Sequence, residues 1–121
     1  MSSLAWAAVF VGGGLGAMAR YSLAVGFNHD SLFPWTTLGI NIAGSFAIGL
    51  MWAGFSETGW FEAWGRYLIV IGFLGGFTTF STFSMDVLTL LEQGRLWLAS
   101  AYAIGSLLTC IIAVSIGYRL V

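Results

Sequence analysis

Four apolar runs, each long enough as a helix to cross a bilayer, take up almost all of this 121-residue chain. They cover about residues 4–27, 34–55, 67–91 and 96–118, and about 20 helical residues reach across the hydrocarbon core. Little remains between them for a soluble unit. The expected fold is therefore an all-α membrane protein of four transmembrane helices, with residues 1–121 forming a single integral membrane domain. Only 7% of the residues are charged, against roughly 25% in soluble domains. A soluble helical core would need far more polar surface.

The same composition narrows the function. There is no lysine and the net charge is −1, so no basic patch exists for a nucleic acid. The single cysteine, Cys110, has no partner for an intrachain disulfide or a metal pair. The one histidine, His29, lies beside Asp30 in a short polar loop with no other ligand residues near it in sequence, and a solvated role is expected. No nucleophile–base pair is visible, so the chain does not read as an enzyme. The N-terminus lacks a basic n-region, and no signal peptide is expected.

In the first run, Ala8, Gly12, Gly16 and Arg20 recur every four residues, a small-residue ladder that lets another backbone approach closely. Arg20 ends it, either as an interfacial anchor or in a structural role near a pore. The second run opens at Pro34, a favoured first helical position, and has Trp35 and Trp52 at its two ends. Thr37, Asn41 and Ser45 share one stripe of it. Residues 56–66 read as an interfacial turn. The fourth run carries Tyr102, Ser106, Thr109 and Cys110 on one side.

The third run departs from the others. Gly72 to Ser84 reads Gly-Phe-Leu-Gly-Gly-Phe-Thr-Thr-Phe-Ser-Thr-Phe-Ser. A glycine pair weakens a helix, and free carbonyls at membrane depth are tolerated only where protein or a water-lined cavity receives them. A break in the third helix near residues 75–79 is expected, and such breaks hold ions. Phe80 and Phe83 share a face of the half that follows, with Asp86 roughly on that side.

With four crossings, Arg66 and Arg119 fall on one side of the membrane and Arg20 and Arg95 on the other. Orientation follows an excess of Lys and Arg on the cytoplasmic side, and here there is none. Insertion in both orientations is expected, which permits an antiparallel, isologous pairing of identical chains.

The inward polar atoms are the Asn41 amide, the hydroxyls of Thr37, Ser45, Thr79, Ser81, Thr82 and Ser106, and the ring edges of Phe80 and Phe83. Most are hydrogen-bond donors, and ring edges are partially positive. Such a line suits a small hard anion without binding it too tightly to leave. Carbonyls released near Gly75 and Thr78 would suit a small cation such as Na⁺. The plainer alternative is that the phenylalanines are ordinary packing, the glycines a kink and Asn41 an interhelical hydrogen bond.

Gly-Gly-Phe-Thr-Thr-Phe-Ser-Thr-Phe-Ser at 75–84 resembles the signature of the CrcB/Fluc family of fluoride channels. Gly-Gly-Gly-Leu-Gly-Ala-Met-Ala-Arg at 12–20, Thr-Leu-Gly-Ile-Asn at 37–41 with Gly44, and Gly-Ser at 105–106 extend the likeness over nearly the whole chain. The resemblance implies an antiparallel, dual-topology homodimer in a bacterial plasma membrane, with two pores that export cytoplasmic fluoride passively. It implies that Phe80 and Phe83 contact fluoride, that Asn41 is the pore asparagine, and that Thr37, Ser81, Thr82, Tyr102 and Ser106 belong to the polar track or its surroundings. It also implies a structural Na⁺ at the dimer axis, held by the carbonyls of Gly75 and Thr78, with Arg20 structural. Cys110 stands where a hydroxyl residue is common, and the role of Asp86 stays open between a pore mouth and a helix contact. Two other readings stand beside this one. A small four-helix multidrug exporter needs a membrane-embedded carboxylate, for which only Asp86 offers itself. A non-transporting membrane scaffold would pass no ion.

Overall fold

The computed structural model describes residues 2–27 and 32–121. His29 and Asp30 lie outside the described residues. Helix α1 spans Ser3–Gly26. It starts where the Ser2 hydroxyl accepts the Ala5 N–H at 3.2 Å, a serine cap on otherwise unpaired first-turn donors. Helix α2 spans Trp35–Phe55. Pro34 precedes it instead of opening it, because its ψ of 71° is not helical although the ring holds φ at −80°. The Thr36 hydroxyl donates to the Phe27 carbonyl at 3.1 Å and ties the start of α2 to the end of α1.

Helix α3 spans Phe61–Leu74 and is wound wider than an α-helix, so that the Gly75 N–H reaches back to the Val70 carbonyl. It begins well before residue 67, inside the stretch expected to be a turn. The reason is an aromatic cluster. Phe61 is 1% exposed, and its ring meets Trp52 edge-on at 5.9 Å and Trp60 at 5.8 Å. Trp64 packs on Trp60 at 5.3 Å. Burial of this cluster carries the helix out to Phe61. A single helical turn, Gly75–Phe77, continues α3. Helix α4 spans Phe80–Glu92 and α5 spans Leu96–Arg119. Between α4 and α5 Gly94 takes φ 73°, a left-handed conformation that glycine adopts without strain. There the Arg95 N–H closes on the Leu90 carbonyl at 2.9 Å.

The helices pack chiefly in two pairs, α1 along α3 and α2 along α5, with α4 resting on α5. Glycine makes both pairings close. A Cβ on Gly12 would overlap the Leu68 carbonyl, and one on Gly16 the Phe73 carbonyl. Across the other pair, Gly49 meets the Val114 carbonyl and Gly117 the Phe46 carbonyl in the same way. Lipid offers no hydrophobic drive between helices, so close backbone packing of this kind holds them together.

A buried cluster joins Leu90, Ala99 and Tyr102, with Phe33, Leu38, Phe83 and Val87 against it. Elsewhere large apolar side chains point outward, Phe10 at 82% and Trp97 at 81% exposure among them. Such a surface is a liability in water and ordinary in lipid. Four stretches qualify as membrane spans by length and hydropathy: Ser3–Gly26, Trp35–Phe55, Phe61–Glu92 and Leu96–Arg119. The chain is an all-helical, multi-pass membrane protein.

Candidate functional site

Two threonines lie between Phe77 and α4 in the third span. Thr78 has φ −82°, ψ 156° and Thr79 has φ −151°, ψ 120°, both extended. The glycine pair 75–76 is helical, so the departure falls after it. Gly76 serves packing instead, since a Cβ there would overlap the Gly13 carbonyl of α1.

An extended residue between helices leaves its own N–H and C=O unpaired, and burying them so is costly. Asn41 of α2 meets both. Its Oδ1 accepts the Thr79 N–H at 2.9 Å, and its Nδ2 donates to the Thr79 carbonyl at 3.1 Å. The carboxamide thus pairs with Thr79 as a neighbouring strand would, and only a side chain with both a donor and an acceptor can do this. The Thr79 hydroxyl then caps α4, accepting the Thr82 N–H at 3.2 Å and donating to the Thr82 hydroxyl at 3.2 Å. It also lies 3.3 Å from the hydroxyl of the exposed Ser81.

These bonds take the place of two helical ones. In an unbroken helix the Thr79 N–H would close on the Gly75 carbonyl, and Asn41 holds it instead. In an unbroken helix the Thr78 carbonyl would likewise take the Thr82 N–H, which goes to the Thr79 hydroxyl. Arg20 reaches across from α1, its Nε donating to the Gly76 carbonyl at 3.1 Å. The Thr78 methyl sits against Gly44, where any Cβ would overlap it.

Thr79 lines two cavities. One, of about 510 Å³, lies between α2, α3, α4 and α5 and includes Asn41, Ser45, Gly75, Thr78, Phe80, Phe83 and Ser106 in its wall. The other, of about 220 Å³, gathers Arg20, Thr37 and Thr82. Phe80 and Phe83 have ring centroids 5.4 Å apart at 42°. Phe80 is 77% exposed, whereas Phe83 packs on Tyr102 at 5.1 Å.

Tyr102 is fully buried and lines neither cavity. Its hydroxyl donates to Asp86 Oδ2 at 3.0 Å, which makes Asp86 a contact between α4 and α5. Ser106 is 6% exposed and its hydroxyl has no partner among the described residues. Thr109, read from the sequence as part of that stripe, is exposed and bonds back to its own helix at Gly105. Among the described residues no cluster of three or more His, Cys, Asp or Glu could hold a metal.

Sequence reasoning placed Asn41 and the phenylalanines in one region but missed the pairing of Asn41 with Thr79. A partial signal was present in Thr79 itself, a favoured N-cap residue directly before Phe80–Glu92.

Four membrane-length spans, packed around the Asn41–Thr79 pairing and a largely apolar cavity with a few polar side chains in its wall, define a small multi-pass membrane protein. The chain belongs to the CrcB family: the family model described as "CrcB-like protein, Camphor Resistance (CrcB)" matches residues 7–118. Among its relatives is a protein of Rhodospirillum centenum named "Fluoride-specific ion channel FluC", 44% identical over 117 residues, covering 94% of this chain and 92% of the relative. A protein of the same name from Francisella tularensis subsp. mediasiatica is 46% identical over 118 residues, covering 93% and 91%. Another, from Saccharophagus degradans, is 41% identical over 114 residues, covering 93% and 86%.

Proposed function

We propose that the protein is a fluoride-selective ion channel, and not an enzyme, that lets cytoplasmic fluoride leave passively down its electrochemical gradient. Its membership of the CrcB family and its relatives' name support this. The structural observation that carries it is the junction at Thr79. Asn41, Thr79, Phe80, Phe83 and Ser106 surround one cavity, and none bears a formal positive charge. Donors and ring edges stabilise a dehydrated anion, and the absence of a fixed cation lets it leave. One amide hydrogen of Asn41 stays free after Thr79 is satisfied, and it is a donor for the ion.

In this reading the extended pair Thr78–Thr79 breaks the third span within the membrane. Two chains of opposite orientation pair at the break, giving two pores per homodimer. The carbonyls of Gly75 and Thr78 from both chains would hold a Na⁺ at their shared axis, and the release of the Gly75 carbonyl by Asn41 fits that role. Such an ion neutralises the converging carbonyl dipoles and locks the two chains together. Arg20 covers the neighbouring Gly76 carbonyl. The multidrug-exporter reading gains no support, because the carboxylate it leans on, Asp86, is occupied by Tyr102.

Growth tests the function. Expression in a bacterium lacking its own fluoride exporter should restore growth in fluoride, and no rescue would overturn the reading. Reporter fusions after Val121 should read out on both faces of the membrane; a single face would remove the antiparallel pairing.

A further inference from the structure

Helices α1 and α2 are tied at one end and part from there. The Thr36 hydroxyl holds the Phe27 carbonyl at 3.1 Å, while deeper in the span α1 packs on α3 and α2 on α5. The gap left between them is a groove of about 270 Å³, walled by Leu23 and Phe27 of α1, by Gly39, Ile40 and Ala43 of α2, and by Phe77. Phe77 is stacked on Phe73 with ring centroids 5.8 Å apart and stands level with Gly44, at the deep end. The one hydroxyl in the wall, that of Thr36, is already spent on Phe27. Gly39 is exposed, and a Cβ there would meet nothing within 4 Å. An apolar void of this kind forfeits dispersion contacts along its whole lining.

We propose that this groove seats one acyl chain of a membrane phospholipid, whose glycerol ester oxygen accepts the Trp35 indole N–H. Three observations choose that occupant. The first is position. Gly39, Ile40 and Ala43 lie on a different face of α2 from Asn41, Gly44 and Ser45, which line the larger cavity with Gly75 and Thr78. At 3.6 residues per turn the two stripes stand about 140° apart, so the groove faces away from the side on which the chains pair in the reading above. The second is size. Ala43 lies about 12 Å deeper along α2 than Trp35 at 1.5 Å per residue, and one leaflet of the hydrocarbon core is about 15 Å thick. A volume of about 270 Å³ drawn out over that length is a slot far narrower than a helix, which is ~10 Å across. The third is the shallow end. Trp35 lines the groove there and is 59% exposed, and its indole N–H has no partner among the described residues. Tryptophan at a helix end sits at headgroup level, and its N–H can only donate, which matches an ester oxygen above an apolar tail. The seat does not depend on which ion the chain conducts.

The test uses the full chain in phosphatidylcholine vesicles doped with a phosphatidylcholine that carries a diazirine midway along one acyl chain. After illumination, peptide mass spectrometry maps the attached lipid. The expected result is labelling of residues 36–43 several-fold above that of Leu15 and Met18, which are exposed on α1. Gly39→Leu puts a side chain into the open space of the groove, and Ala43→Leu does so one turn deeper. Either plug should bring the ratio down to about one, while Gly14→Leu, at a glycine equally open but on α1, should leave it as in the parent. Trp35→Phe keeps the ring against Phe33 but removes the donor, and should lower the ratio part of the way. Groove labelling no denser than that of Leu15 and Met18 in the parent would overturn the proposal. So would labelling that survives both plugs. A Gly39→Leu chain that is folded but elutes as a smaller species on size exclusion would show that a second copy fills the groove, and would overturn it too.

Discussion

Asn41 holds Thr79 by both ends of its amide, at 2.9 Å to the N–H and 3.1 Å to the carbonyl. The pairing joins α2 to the residue that caps the start of α4. Replacing Asn41 by Ala strands both backbone groups, and Asn41→Asp keeps an acceptor but turns it against the Thr79 carbonyl. Interhelical hydrogen bonds in membranes contribute about 1–2 kcal/mol at most. Both variants should therefore melt at lower temperature in detergent and lose fluoride efflux, Asn41→Asp no less than Asn41→Ala. A wild-type melting curve for Asn41→Ala would remove the junction role.

The two phenylalanines should separate by stability. Phe83 packs on Tyr102 at 5.1 Å, and an aromatic pair adds about 0.5–1.5 kcal/mol beyond its buried area. Phe80 is largely exposed. Phe83→Ile should lower both melting temperature and flux, while Phe80→Ile lowers flux alone. Flux that survives in both variants would refute the ring-edge role.

Helix packing gives a test independent of ion conduction. Gly16→Ala places a methyl on the Phe73 carbonyl, whereas Gly14→Ala meets nothing within 4 Å. Overpacking costs about 1–3 kcal/mol. Gly16→Ala should show reduced thermal stability and Gly14→Ala should match the parent. Equal stability of the two would contradict the close α1–α3 contact.

Tyr102 and Asp86 should be energetically coupled. Their hydroxyl–carboxylate bond is 3.0 Å, and bonds to charged groups contribute about 1.5–3 kcal/mol. Tyr102→Phe should destabilise the parent clearly and an Asp86→Ala background little. An additive double-mutant cycle would show that the contact carries no energy.

How much of this was legible in the sequence depends on which force sets each element. The four spans follow from run length and hydropathy. The early start of α3 at Phe61 was not legible, because Trp52, Trp60 and Phe61 meet only in three dimensions. Glycine weakness pointed to residues 75–79, yet within that stretch Gly75 and Gly76 are helical, Gly76 packs on the Gly13 carbonyl of α1, and the extended pair is Thr78–Thr79. That shift follows from Asn41, whose bidentate grip favours an extended residue opposite it. Asn41 was recognisable as the most polar group at its depth, but its partner was not. Asp86 was ambiguous until Tyr102 was seen beside it.

The central claim is that uncharged donors and ring edges carry fluoride through this chain. Efflux from vesicles holding the purified protein tests it most directly, with internal potassium fluoride or potassium chloride, an ionophore to carry the counter-ion, and an ion-selective electrode outside. The account predicts rapid fluoride release, none of chloride, and no fluoride release from Asn41→Ala. Equal release of both halides, or of neither, would contradict it.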